Sequence, residues 1–222
     1  MNRTQLLIGL IAIAVVALGV ATYFVFFGPS AGDTMPLTSD PKAITVGKDD
    51  RTLGSPKAPV TVIEYAAPTC PHCAHFDMDV FPDFKRLYID TGKVYFIFRV
   101  FPLNPVDVAA ESMARCLPAE NYFSFLDLLY RNQPQWDPDG YAIPDVHAAL
   151  IHMGSIAGLN AQQVDGCIND QTKISRIQGV GTDAQAKYGI YQTPSFVVNG
   201  VLHNPITLAD LQGIIDPLLA KK

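Results

Sequence analysis

The sequence predicts an α/β domain that carries an inserted helical lobe and is preceded by an N-terminal transmembrane helix. Three observations predict it. Short runs rich in β-branched and aromatic residues, Val60 to Ala66, Val94 to Phe101 and Ser195 to Val198, have the length and composition of buried strands. Between the second and the third, from Val106 to about Ile168, apolar residues recur at helical spacing instead. Ahead of both, Leu6 to Phe27 is an apolar run of about 22 residues, roughly 33 Å long as a helix and enough to cross a bilayer core. The implied division is 1–27 as transmembrane anchor or signal segment, 28–40 as linker, and 41–222 as the folded domain with its helical insertion at 104–168. At 222 residues and 49% hydrophobic, the chain can bury one good core, in two lobes. A net charge of −5 with no basic block argues against nucleic acid as a partner.

Arg3 and the terminal amine precede the apolar run, and the next cation, Lys42, follows Asp33 and Asp40. The positive-inside rule then places the folded domain outside the cytoplasm. A cleaved signal peptide is the alternative, but its apolar region would be shorter, about 7–15 residues. Tyr23, Phe24, Phe26 and Phe27 also resemble an interfacial belt more than a cleavage site, which favours a retained anchor. Either route leads to a compartment in which disulfides persist. Gly28 to Asp40 reads as a linker that reaches at most about 45 Å, so the domain would stay near the membrane.

Ala43 to Val46 is a candidate short strand, Asp49 to Arg51 begins a polar loop, and Gly54 to Pro59 turns into the strand at Val60. The helix that follows that strand continues to about Asp90, with a kink expected at Pro82 because proline lacks the N–H. Pro102, Asn104 and Pro105 end the strand begun at Val94. The insertion reads as helices Val106 to Leu117, Tyr122 to Asn132, Asp145 to Met153 and Ala161 to Ile168. Gln133 to Pro144, with three prolines and Trp136, reads as a loop in which Trp136 packs rather than stacks on a ligand. A long helix, Asp170 to Lys187, returns to the sheet. Asn199-Gly200 is a type I′ hairpin turn joining Ser195 to Val198 with Val201-Leu202, and Thr207 caps a last helix, Leu208 to Leu219.

The chemistry concentrates in Tyr65-Ala66-Ala67-Pro68-Thr69-Cys70-Pro71-His72-Cys73. Cys70 falls where a helix begins, and there unpaired N–H groups and the helix dipole favour a thiolate and lower its pKa. Pro71 suits the first turn, and His72, protonated or donating through its ring, would add a second favourable effect. The spacing also fits half a metal site with His75 as a third ligand, or a structural short-loop disulfide. Zinc would want further paired ligands, whereas Cys116 and Cys167 come singly, so the order strand, C-x-x-C, helix favours reversible disulfide exchange. Glu64 shares a strand face with Val60 and Val62. It is either a buried acid with a raised pKa, able to accept a proton, or a residue facing solvent or pairing with Lys57 or Lys93.

Cys70-Pro71-His72-Cys73 after a strand carrying Glu64, with Tyr188 to Gly200 downstream and Thr193-Pro194 within it, resembles the DsbA-like thiol:disulfide oxidoreductases of the thioredoxin superfamily. The resemblance covers about Pro41 to the C-terminus. It implies a thioredoxin-like fold and catalytic roles for Cys70, Cys73, His72 and Pro71, with Glu64 helping to move the proton of the buried cysteine. Pro194 is implied to be cis and to face the cysteines, with Thr193 offering its backbone to a substrate strand and its hydroxyl near the sulfurs. Some relatives carry an additional bridge, which would here be a structural disulfide between Cys116 and Cys167. An even cysteine count and an oxidising compartment permit it, and closing about 50 residues would contribute several kcal/mol. The implied activity is introduction of disulfides into reduced exported proteins, with reoxidation by a DsbB-type membrane oxidase. No cofactor and no metal are implied, and the chain is expected to act as a monomer. An isomerase or reductase is the alternative; such isomerases generally carry a dimerisation domain ahead of the thioredoxin unit, and Pro41 to Pro59 is too short for one.

Overall fold

The computed structural model of the chain describes residues 44–205 and 207–221. The expected membrane segment and the linker to Asp40 lie outside the described residues, among which no helix is long and apolar enough to cross a membrane.

Among the described residues five strands form one sheet: β1 (Arg51–Leu53), β2 (Val60–Ala66), β3 (Val94–Val100), β4 (Ser195–Val198) and β5 (Val201–His203). Their order is β1-β3-β2-β4-β5, with β2 and β3 parallel and every other pairing antiparallel. β2, save Thr61, and β4 are buried along their length because both faces of the sheet are covered. The two-residue alternation assigns the faces. Val60, Val62 and Ala66 join one core with Phe96, Phe98, Phe196 and the helical insertion, while Ile63 and Tyr65 join a smaller core with Ile97 and Val197. Glu64 falls on the larger core's face.

The helix after β2, labelled α1, runs through residues 71–89. It alternates α segments (Pro71–His75, Phe81–Phe84) with wider π segments (Phe76–Val80, Lys85–Ile89). Pro82 lies in the first turn after a π segment, so the wide turn absorbs the missing N–H. The insertion contributes α2 (Pro105–Ala114), α3 (Tyr122–Arg131), the single turn α4 (Gln133–Trp136), α5 (Val146–Ile156) and α6 (Ala161–Ile168). α7 (Gln171–Tyr188) lays Ala184 and Tyr188 on the smaller core, and α8 (Leu208–Ala220) adds Leu211 and Ile215 to the larger one. Thr207 and Asp210 form a reciprocal cap at the start of α8. Asn199, at φ 47°, and Gly200, at φ 87°, supply the left-handed turn between β4 and β5. Asn199 also pins that turn to β2: the Thr61 N–H donates to its side-chain oxygen at 2.9 Å, and its own N–H donates to the Thr61 carbonyl at 2.9 Å.

Two expectations are corrected. Residues 44–46 form no strand; the edge strand is Arg51–Leu53, in what reads as a polar loop. Partners distant in sequence stabilise it: its residues pair with Phe96, Ile97 and Phe98, and the Arg51 guanidinium lies over the Tyr122 ring at 5.2 Å. The Gln133 to Pro144 stretch opens with a helical turn, in which proline sits where no N–H is needed. Trp136 is fully buried and donates its indole N–H to the Leu129 carbonyl at 2.8 Å, so it is a packing residue.

Candidate active site

β2 delivers the chain to the site and a short turn aims it. The Cys70 N–H donates to the Ala67 carbonyl at 3.1 Å, and Cys70 keeps an extended backbone, φ −73° and ψ 119°, as the residue that caps α1. Its sulfur accepts the Cys73 N–H at 3.3 Å, satisfying one of the donors a helix start leaves open, and Pro71 has no N–H to satisfy. Both cysteines are free thiols; Cys70 is 4% exposed and Cys73 is fully buried. Across from them the Thr193–Pro194 bond is cis, and the Cys70 thiol donates to the Thr193 carbonyl at 3.4 Å.

The two sulfurs differ sharply. Cys70 is lowered to about 6, chiefly by a hydrogen bond from the Cys73 thiol, which outweighs burial; the Thr193 hydroxyl and the backbone N–H groups of Cys73 and His72 lower it further. The Thr193 oxygen lies close enough to favour the thiolate, yet it is buried with no well-formed hydrogen bond to protein. Cys73 is pushed well up, first by burial and then by Cys70. His72 is exposed, and its backbone N–H is among the groups that favour the Cys70 thiolate.

Glu64 is 5% exposed, and no ion pair forms to it among the described residues. The open alternatives for it are thereby removed: Lys93 donates to the Leu87 carbonyl instead, and the carboxyl points inward. Burial, then Asp77, then Cys70 raise its pKa well above the usual range. Asp77 is itself raised to about 7 by burial and by Asp127, whose carboxylate takes the Arg131 Nε–H at 2.8 and 2.9 Å. His75 is occupied by Asp79 at 2.7 Å, and no metal-holding group of His, Cys, Asp and Glu occurs among the described residues.

Several residues that sequence reading missed hold the turn in place. Asp107, fully buried at the start of α2, accepts the Thr69 and Leu103 N–H groups, each at 2.8 Å, so one carboxylate ties the turn before Cys70 to the end of β3. Burial raises it to about 6 although these donors oppose the shift. Asn104 caps α2 and donates to the Thr69 hydroxyl at 2.9 Å. The Gln133 amide donates to the carbonyls of Pro68 at 2.8 Å and Cys70 at 3.2 Å. The one local signal that could have pointed here is the Asn104-Pro105-x-Asp107 capping pattern, and it says nothing of Thr69. Cys70 lies in the wall of one groove with Leu103, Tyr141, Asp139 and Gln133; a second groove, lined by His72, His75, Phe76 and Pro194, shares His72, Gln192 and Thr193 with it.

Away from this site, Cys116 and Cys167 are disulfide-bonded, with Cα atoms 6.1 Å apart, joining the end of α2 to α6.

The thioredoxin family model matches residues 47–217. The crystal structure of Wolbachia pipientis alpha-DsbA1 is similar at 32% identity and a TM-score of 0.73, covering 83% of this chain and 97% of that one. A Rickettsia conorii protein that carries the name protein-disulfide oxidoreductase on a provisional basis is 32% identical over 180 residues, 80% of this chain. The chain spans 63% of the length of that relative. Disulfide bond formation protein D of Bacillus subtilis is 26% identical over 160 residues, 68% of each.

Proposed function

The chain belongs to the DsbA-like branch of the thioredoxin superfamily, and on that premise we propose that it is an extracytoplasmic thiol:disulfide oxidoreductase that introduces disulfide bonds into exported proteins. One observation carries the reading: a cysteine at a helix start with a pKa of about 6 stands beside a buried cysteine whose pKa is raised. Stabilising the thiolate of the reduced form makes Cys70 a good leaving group and the Cys70–Cys73 disulfide a strong oxidant. The names carried by the rickettsial and Bacillus relatives support the same class of reaction.

A substrate thiolate attacks the Cys70 sulfur, the Cys70–Cys73 bond breaks, and the electron pair leaves on Cys73, which takes a proton from Glu64. A second substrate thiolate attacks the substrate sulfur of the mixed disulfide and expels Cys70 as a thiolate. The substrate has lost two electrons and the cysteine pair has gained them. Thr193 and Pro194 present backbone to the bound segment, and Pro71 and His72 contribute the turn that aims Cys70. Reoxidation falls to a membrane oxidase of the DsbB type, and an N-terminal anchor would raise the local concentration of that partner.

Equilibration with glutathione, coupled to thiolate absorbance against pH, tests the reading. The expected result is a Cys70 midpoint near 6 and a potential well above that of thioredoxin, which is about −270 mV. A thioredoxin-like potential with an ordinary thiol titration would remove the oxidase assignment.

A further inference from the structure

The turn that carries Cys70 is poorly able to hold itself. Pro68 and Pro71 have no N–H, so the stretch between them can offer only those of Thr69 and Cys70. Cys70 gives its own to the Ala67 carbonyl at 3.1 Å, and Thr69 gives its own to Asp107 at 2.8 Å. The buried Pro68 carbonyl must therefore look outside the turn for a donor, and it finds the Gln133 amide at 2.8 Å. The same amide reaches the Cys70 carbonyl at 3.2 Å, beside the Ala74 N–H that this carbonyl accepts at 3.0 Å as α1 begins. Gln133 is itself held fast. It is 4% exposed, opens α4, accepts the Asp137 N–H at 2.9 Å, and shares its turn with the fully buried Trp136, whose indole is bonded to Leu129.

We propose that Gln133 is a positioning residue of the exchange reaction: gripping the main chain on both sides of Thr69, it keeps the Cys70 sulfur in place over the Cys73 N–H and opposite Thr193. The effect falls on one redox form. In the disulfide, the covalent bond to Cys73 fixes the Cys70 sulfur whatever the turn does. In the dithiol form only non-covalent contacts hold it, among them the Cys73 N–H at 3.3 Å. A loosened turn therefore costs the reduced form more than the oxidised one, and it makes Cys70 a poorer leaving group. Asp107 grips Thr69 from the same lobe but brings a carboxyl of its own, whereas Gln133 is neutral and acts by position alone. Through this one amide the inserted helical lobe takes part in setting the oxidising strength of a cysteine pair it does not contain.

The inference rests on the redox reading of the cysteine pair, and the two can fail separately: the titration and potential of the parent protein test the reading, and the difference between variant and parent tests Gln133. In full-length protein, Gln133→Met keeps the length of the side chain and removes the N–H donors. The Cys70 thiolate absorbance midpoint should then rise by about one pH unit, a loss on the order of one or two neutral hydrogen bonds. Equilibrium with glutathione should move toward the disulfide form by a similar factor. Gln133→Leu, also without a donor, must shift both readouts in the same direction. Glu111→Gln is the control for lost stability: Glu111 is fully buried in α2 and bonded to Tyr122 and Arg115, so this variant should lower the urea unfolding midpoint and leave both redox readouts at the parent values. An unmoved Cys70 midpoint and glutathione equilibrium in both Gln133 variants, whatever their stability, would reduce Gln133 to a packing residue and overturn the proposal. An equal shift in Glu111→Gln would overturn it too.

Discussion

The molecule holds two cysteine pairs, and the same element does opposite things in them. Cys116, in the turn just after α2, and Cys167, in α6, are 51 residues apart and are bonded. Cys70 and Cys73 are three apart on one helix start, and their sulfurs have unlike surroundings: one collects hydrogen bonds, the other is buried against acids. The first pair restrains the chain by joining distant points, a benefit that grows with the loop it closes. The second closes almost no loop, so its bond gains little from chain restraint, and its reduced form is favoured by the thiolate at the helix start. Reactivity therefore follows from where each sulfur's charge can be accommodated, and cysteine content alone says nothing about it.

The comparison breaks most visibly at Cys70. Cys70→Ser should abolish oxidation of a dithiol peptide, while Cys73→Ser, which leaves the attacked sulfur without its resolving neighbour, should accumulate mixed disulfides visible on non-reducing gels. Mixed disulfides trapped through Cys73 in the first variant would reverse the roles. Next in size, replacing both Cys116 and Cys167 by alanine should cost up to roughly 4 kcal/mol of stability by loop closure, read in urea unfolding. The Cys70 absorbance midpoint should meanwhile stay near 6; a shift in that midpoint would show that the two pairs are coupled. The smallest effect is on pH. Cys70 in the folded dithiol form has its pKa depressed to about 6 from 9.0, so its contribution is fully present above about pH 9 and is lost as pH falls through 6. The reduced protein should therefore gain stability over the oxidised protein from pH 6 to 9, and parallel unfolding midpoints of the two forms across that range would contradict it.

Much of this was legible in the sequence, for reasons that particular residues make plain. β2, the Asn199-Gly200 turn and α6 announce themselves through local pattern: a run rich in β-branched and apolar residues, a dipeptide suited to two left-handed residues, and apolar residues at helical spacing. The cysteine at a helix start was equally visible, because strand, proline and helix punctuate it from both sides. What escaped depends on partners far along the chain. β1 is three residues long and exists because β3 offers it an edge. Asp107 and Gln133 meet the Cys70 turn across 38 to 65 residues, and hydrophobic periodicity, which assigns faces, is silent about which polar group lies opposite another. Glu64 lay between these cases: alternation put it on an apolar face, and only the absence of a lysine partner decided how to take it.

Gln133 belongs to the helical insertion, yet its amide grips the carbonyls on either side of Thr69. A protein engineer wishing to pare this chain down to a minimal redox module would be cutting away part of the mould in which the reactive loop is set. Trimming residues 104–168 would strip Pro68 and Cys70 of that donor and Thr69 of the Asp107 carboxylate, so a shortened version would need replacement anchors designed in before its cysteines could be compared with those of the parent.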